Sequence, residues 1–139
     1  MPLVRRQEDA RATDSNHRAT LRAMTNAMPY PGNDFYCDVA IPNIDNLDVI
    51  EDTASVFAYR HTRPFWAVHI VVVPKAHIES FTTVAEVDEP VVRELLAVVQ
   101  RIAGGVESSH GAARINTNLG TYQDSKHLHI HVSSGDRLR

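Results

Sequence analysis

The chain has a single cysteine, Cys37, and a single tryptophan among its 139 residues. A lone cysteine cannot close an intramolecular disulfide, which fits a reducing compartment. Nor can it open a Cys-x-x-Cys metal knuckle, because Ala40 stands where the second sulfur would be. No uninterrupted apolar run nears the ~20 residues needed to span a bilayer. The polar stretch that follows Met1-Pro2-Leu3-Val4 lacks a signal-peptide core. Neither sign of charge dominates: the formal net charge is -3, so nothing global favours nucleic acid or an anionic membrane as partner. The expected setting is cytoplasmic. Internal repeats and low-complexity segments are missing too.

Apolar residues and histidine are what the chain does have. It is 43% hydrophobic, enough for one globular domain with a single core. Residues 1–14 are polar and without periodicity and read as a tail. A short helix follows from about Ser15, with Leu21, Met24 and Met28 at helical spacing, and Pro29-Tyr30-Pro31-Gly32 ends it. Residues 35–42 read as a short strand or edge segment, and Asp48–Glu51 as a second. Ser55–Tyr59 and the β-branched run Val68–Val73 are firmer strands. Asp88-Glu89-Pro90 signals a capped helix start, Val91, Leu95, Val98, Val99 and Ile102 form its apolar stripe, and Gly104-Gly105 is the expected stop. Residues 113–118 and 127–133 are the last two strands. The expected fold is α+β: an antiparallel sheet of about five strands, one long helix on one face and a short N-terminal helix. The expected division is residues 1–34 as tail and short helix and 35–139 as the folded domain.

Eight histidines are many for this length, and three of them alternate in His127-Leu128-His129-Ile130-His131-Val132-Ser133. Period-two alternation is the strand signature, so Leu128, Ile130 and Val132 face the helix and the imidazoles face the open side. At roughly 3.3 Å per residue, neighbouring imidazoles there lie about 6.6 Å apart. Three histidines in this pattern are poorly explained as surface, whereas His17 and His110 read as ordinary polar residues. Two chemistries remain open. Imidazole is a good zinc ligand, although three rings spread over about 13 Å do not easily share one ion. Neutral imidazole is also a competent nucleophile near pH 7, and on phosphorus its phosphoramidate product is labile.

The same stretch resembles the His-φ-His-φ-His-φ-φ signature of the histidine triad (HIT) superfamily. The resemblance extends upstream. His69-Ile70-Val71-Val72-Val73-Pro74-Lys75-Ala76-His77 is similar to the family's H-x-x-V-x-P-K-x-H strand. Asn116, eleven residues before His127, and Gln123, four before it, also match family positions, so that residues 36–135 are covered. This resemblance implies a hydrolase or transferase acting at the α-phosphate of a nucleotide. His129 would be the nucleophile, His127 its orienting partner and His131 a phosphate contact. His69 would complete the phosphate site with Asn116 and Gln123, and His77 would be supporting structure. It also implies a homodimer; no cofactor is expected, and the charge balance and short apolar runs give no expectation of a nucleic-acid or membrane partner.

Several neighbours depart from the family pattern. His61 stands where an Asp would hold the ribose, and with Arg60 and Arg63 it could meet a second phosphate or an acidic leaving group. Tyr122 replaces a loop glycine. Asp124 replaces a hydroxyl residue that serves the leaving group, with Ser125 one further on. Cys37 alone remains of the Cys-x-x-Cys found in zinc-bearing relatives, which argues against structural zinc. Phe35, Tyr36, Phe57, Tyr59, Phe65 and Trp66 offer rings to a base pocket. A nucleotide sensor without turnover and a metal-dependent enzyme are the competing readings.

Overall fold

The computed structural model describes residues 32–139, so the expected N-terminal tail and its helix lie outside the described residues. In chain order the main elements are two helical turns, Tyr36–Ala40 and Ile41–Asn46, then β1 (Val49–Asp52), β2 (Val56–Arg60) and β3 (Trp66–Pro74). The helix α1 (Glu89–His110) follows, then β4 (Arg114–Asn116) and β5 (Ile130–Arg137). The five strands form one sheet in the order β1-β2-β3-β5-β4, with every neighbouring pair antiparallel.

Strand alternation sorts the core into two layers. Val56, Ala58, Ile70, Val72, Leu128, Ile130 and Val132 pack on α1 through Leu95, Val98, Val99, Ile102 and Val106. Phe57, Tyr59, Val71 and Val73 point the other way, onto Tyr36, Ala40 and Leu47. A strand buried on both sides loses its alternation, and that is why Ile70–Val73 reads as an unbroken apolar run. Each large side chain so buried contributes roughly 1.5–3 kcal/mol relative to leaving it in water. Among the described residues no helix is long and apolar enough to cross a membrane.

Five local expectations are corrected. Residues 35–42 are helical, not a strand: the Asp34 carboxylate accepts the Cys37 N–H at 2.9 Å and the Asp34 carbonyl accepts the Asp38 N–H at 3.0 Å, which starts a turn. These turns cover the second face of the sheet, so the histidine face is roofed near Tyr36 and not open throughout. The helix runs through Gly104-Gly105 to His110 and stops at Gly111, whose φ of 80° is left-handed and whose N–H bonds the Glu107 carbonyl at 2.8 Å. A glycine costs a helix only ~1 kcal/mol, less than burying Val106 on the sheet returns. Asp88 does precede the helix, but its carboxylate accepts the Ala85 N–H at 2.9 Å and does not cap α1. Finally, β5 starts at Ile130, because Leu128 N–H bonds Ile78 and the His129 carbonyl accepts the Thr117 hydroxyl at 2.8 Å, both outside the ladder.

Candidate active site

Strand register brings the histidines together. Tyr59, Val71, His131 and Asn116 are successive Cα partners across β2, β3, β5 and β4. His69 lies opposite Ser133, one diagonal step from His131 on the same face. A cleft of ≈ 980 Å³ opens over this row, and its lining includes Tyr36, Tyr59, His61, His69, His129 and His131. Asn116, Asp124 and Ser125 line it too. His127 does not: it is fully buried behind the cleft. The triad is therefore not a flat row. His129 and His131 have ring centroids 4.9 Å apart, closer than the pleat alone gives.

Hydrogen bonds fix where the ring protons sit. His129 Nδ1 donates to the His127 carbonyl at 2.7 Å, so its Nε2 carries a lone pair. Burial holds its pKa below the usual imidazole value. His69 Nδ1 accepts the Phe65 N–H at 3.1 Å, which leaves Nε2–H to donate to His131 Nδ1 at 2.8 Å. His131 then presents Nε2–H as a donor. Burial first, then His129 and His69, lowers the pKa of His131 to about 3, and burial first, then Arg139 and His129, lowers that of His69 to about 4. All three are neutral near pH 7. Tyr36 roofs the nucleophile candidate, its ring 4.7 Å from that of His129.

The other expected residues divide. Ser125 Oγ accepts the Phe35 N–H at 2.9 Å and keeps its own O–H for a ligand. Asn116 bonds Asn118 at 3.4 Å on the cleft wall. Asp124 is exposed on the same wall. Gln123 stands apart, buried and donating to the Glu79 carbonyl at 2.8 Å, outside the cleft lining. Arg60 turns away to Asp48 at 3.3 Å.

Among the described residues, two clusters bring together side chains that could hold a cation: His61, His69 and His131, and Asp34, Cys37, His77 and His127. The first does not suit one. His61 Nδ1 accepts the Arg63 N–H at 2.9 Å and His69 Nδ1 is also taken, so both Nε2 atoms carry hydrogen instead of a lone pair. The second does suit one. His127 Nε2–H donates to the Pro74 carbonyl at 2.7 Å, which leaves Nδ1 free to coordinate beside Asp34 Oδ2 and Cys37 Sγ. His77 Nδ1 lies 2.5 Å from the same carboxylate oxygen. Burial drives the Asp34 pKa upward, but bonds from Cys37 and the nearby His127 outweigh it and the carboxyl stays below its usual value. Burial, then Asp34, raises the Cys37 thiol to about 11, so its S–H stays protonated unless a cation displaces the proton. The expectation against structural zinc weighed Cys37 alone; Asp34, three residues before it, is a further donor that the turn brings beside it. Asp-x-x-Cys was the available signal.

A family model for the HIT domain matches residues 43–138. Protein HitA of Neisseria gonorrhoeae is 30% identical over 101 residues, covering 72% of this chain and 94% of its own. An uncharacterized 13.2 kDa HIT-like protein of Azospirillum brasilense is 30% identical over 115 residues, 81% and 93% of the two chains. Among solved structures, a histidine triad protein from Clostridium difficile aligns with a TM-score of 0.63 at 26% identity, over 79% of this chain and 96% of that one. A HIT family hydrolase from Clostridium thermocellum aligns at 0.64 with 20% identity and the same coverage, a likeness of fold. The order of strands, the histidine geometry and these matches agree, and the chain belongs to the histidine triad (HIT) family.

Proposed function

We propose that the protein is a nucleotide hydrolase or nucleotidyl transferase that attacks the α-phosphate of a nucleotide conjugate through His129. The observation that carries this reading is the 2.7 Å bond from His129 Nδ1 to the His127 carbonyl, which aims an unprotonated Nε2 at the cleft. Nε2 bonds to phosphorus as the bond to the leaving group breaks and its electron pair departs with that group. Water supplies the leaving group's proton, with Ser125 O–H and Asp124 as the adjacent polar groups. A second water then attacks phosphorus, the P–N bond breaks, its pair returns to Nε2, and the nucleotide and a proton leave. His131 Nε2–H donates to a phosphate oxygen as charge builds there. His127 positions His129, His69 fixes the tautomer of His131, Asn116 borders the phosphate, and Gln123 steadies the loop before the triad. His61 and Tyr59 edge the nucleotide.

Zinc at Asp34, Cys37, His77 and His127 would tie the 34–37 turn to the catalytic strand and steady His127, a structural contribution. The 35–139 segment is the catalytic unit in this reading, in a cytoplasmic protein without a membrane or nucleic-acid partner. A homodimer is supported by β4, an edge strand that leaves Ile115 57% exposed. Incubation with adenosine 5′-phosphoramidate should release AMP, and His129→Ala should reduce release by at least ~10³-fold. Normal turnover by His129→Ala sinks the nucleophile assignment. The second reading, a nucleotide sensor, is favoured by the 80% exposed Tyr122 and the acidic Asp124 in the leaving-group loop. It predicts AMP binding without AMP release.

A further inference from the structure

Several acids of this fold meet a cation. Asp48 pairs with Arg60, Asp52 with Lys75, Glu51 with Arg101 and Glu89 with Arg93, while Asp34 faces His77 and His127. Asp124 differs. Among the described residues it is the one acid that lines the cleft, and no cation or N–H there engages its carboxylate. Lys126, two residues on, could have neutralised it, but its ammonium is turned to the Gly120 and Gln123 carbonyls at 3.0 and 2.7 Å.

The loop fixes this carboxylate from both sides. Gln123 is buried and donates to the Glu79 carbonyl at 2.8 Å, and Ser125 is buried and accepts the Phe35 N–H at 2.9 Å. Lys126 N–H bonds the Asn33 carbonyl at 2.5 Å. Asp124, between two buried neighbours, is left exposed on the cleft wall. Its charge reaches the nucleophile: burial lowers the His129 pKa, and Asp124 is among the groups that oppose the fall. The cations of the lining lie further along the row of rings. His129, His131, His69, His61 and Phe65 follow one another at centroid distances of 4.9, 5.0, 4.4 and 6.2 Å, and Arg139 lies over Phe65 at the end of that row. Arg137 is opposite Trp66, one residue beyond Phe65. The cleft is thus acidic beside its nucleophile and cationic at its far end. A fixed carboxylate without a partner attracts an ammonium group and repels an anion.

We propose that Asp124 selects the leaving group, so that the preferred substrates are nucleoside phosphoramidates whose leaving amine carries a second, cationic amino group. The inference rests on reading the cleft as a nucleotide hydrolase site. As His129 Nε2 bonds to phosphorus, the bond from phosphorus to the amine nitrogen breaks. Its electron pair departs on that nitrogen, which takes a proton from water. The distal ammonium group takes no part in this exchange. It rests on the Asp124 carboxylate and holds the leaving group against the loop while the bond breaks.

Two substrates that differ only at the tip test this: adenosine 5′-(N-butyl)phosphoramidate and its N-(3-aminopropyl) analogue, in which an ammonium group stands for the terminal methyl. The full wild-type chain should turn over the cationic one with a kcat/KM about threefold to fivefold higher, the range of a solvent-exposed ion pair. Salt at about 0.5 M should shrink that ratio. Asp124→Asn, alike in shape, should bring the ratio to about one, and Asp124→Lys should reverse it. Glu86→Gln, exposed outside the cleft lining, should leave it intact. A wild-type ratio near one, or a ratio that survives Asp124→Asn, overturns the inference. Calorimetric binding of the same pair to the His129→Ala chain separates it from the hydrolase reading. If the wild-type chain turns over neither compound, but His129→Ala binds the cationic one several-fold more tightly and the added Asp124→Asn abolishes that preference, the hydrolase reading falls and the selection of a cationic conjugate by Asp124 stands. Binding of neither compound overturns the inference.

Discussion

His69 donates its Nε2–H to His131 Nδ1 across 2.8 Å, and the Phe65 N–H on the far side of His69 makes that the only proton arrangement the two rings can share. A backbone amide thus decides, through two imidazoles, that His131 offers a proton to the cleft. Replacing His69 with Gln keeps a donor near His131, while Phe removes it. His69→Phe should lower kcat of AMP release by about 10²-fold and His69→Gln by less, measured at saturating substrate. Equal losses would mean that bulk, and not the proton, matters at His69.

The same packing makes stability depend on pH. His61 and His131 are held to about 3 and His69 to about 4, burial being the largest cause in each. The unfolded chain takes up these protons near pH 6.5, whereas the folded chain does not until far lower. Stability is therefore full above pH 6.5 and is lost as pH falls toward 4. The urea midpoint should drop steadily across that window, and less steeply in His61→Phe. A midpoint flat from pH 7 to 4.5 contradicts the neutral, buried assignment.

Two glycines predict opposite signs. Gly104 lies within α1 with nothing within 4 Å of an added Cβ, so Gly104→Ala should stabilise by ~0.5–1 kcal/mol. Gly111 sits at φ +80°, and Gly111→Ala should destabilise by about 1 kcal/mol. Urea denaturation of both variants checks the pair.

Zinc should raise the melting temperature of the wild-type chain by several degrees at a one-to-one ratio, through the four donors around Asp34. Cobalt in its place should give a thiolate charge-transfer band that Cys37→Ser removes. A melting temperature indifferent to zinc, with no such band, rules the cation out.

Much of this molecule is legible in its sequence because side-chain period is a local property. The alternation of Leu128, Ile130 and Val132 with the histidines, and the stripe from Leu95 to Ile102, name the faces that meet in the core. What escapes is decided between distant segments. Gly104-Gly105 reads as a stop until the burial of Val106 carries the helix past it. Asp34 falls in the expected 1–34 tail segment, yet the turn folds it onto His77 and His127. Arg137 and Arg139 are far from Arg63 and His61 in sequence, and only the antiparallel return of β5 along β3 joins them at one cleft. The departures at Tyr122 and Asp124 could be read directly, since both remain on the cleft wall.

Nucleophilic attack by His129 is the central claim, and intact mass spectrometry tests it most directly. After brief exposure to adenosine 5′-phosphoramidate and rapid quenching, the wild-type chain should carry one adenylyl adduct that maps to His129, and His129→Ala should carry none. An adduct on another residue, or substrate consumed by the His129→Ala chain at the wild-type rate, contradicts the account.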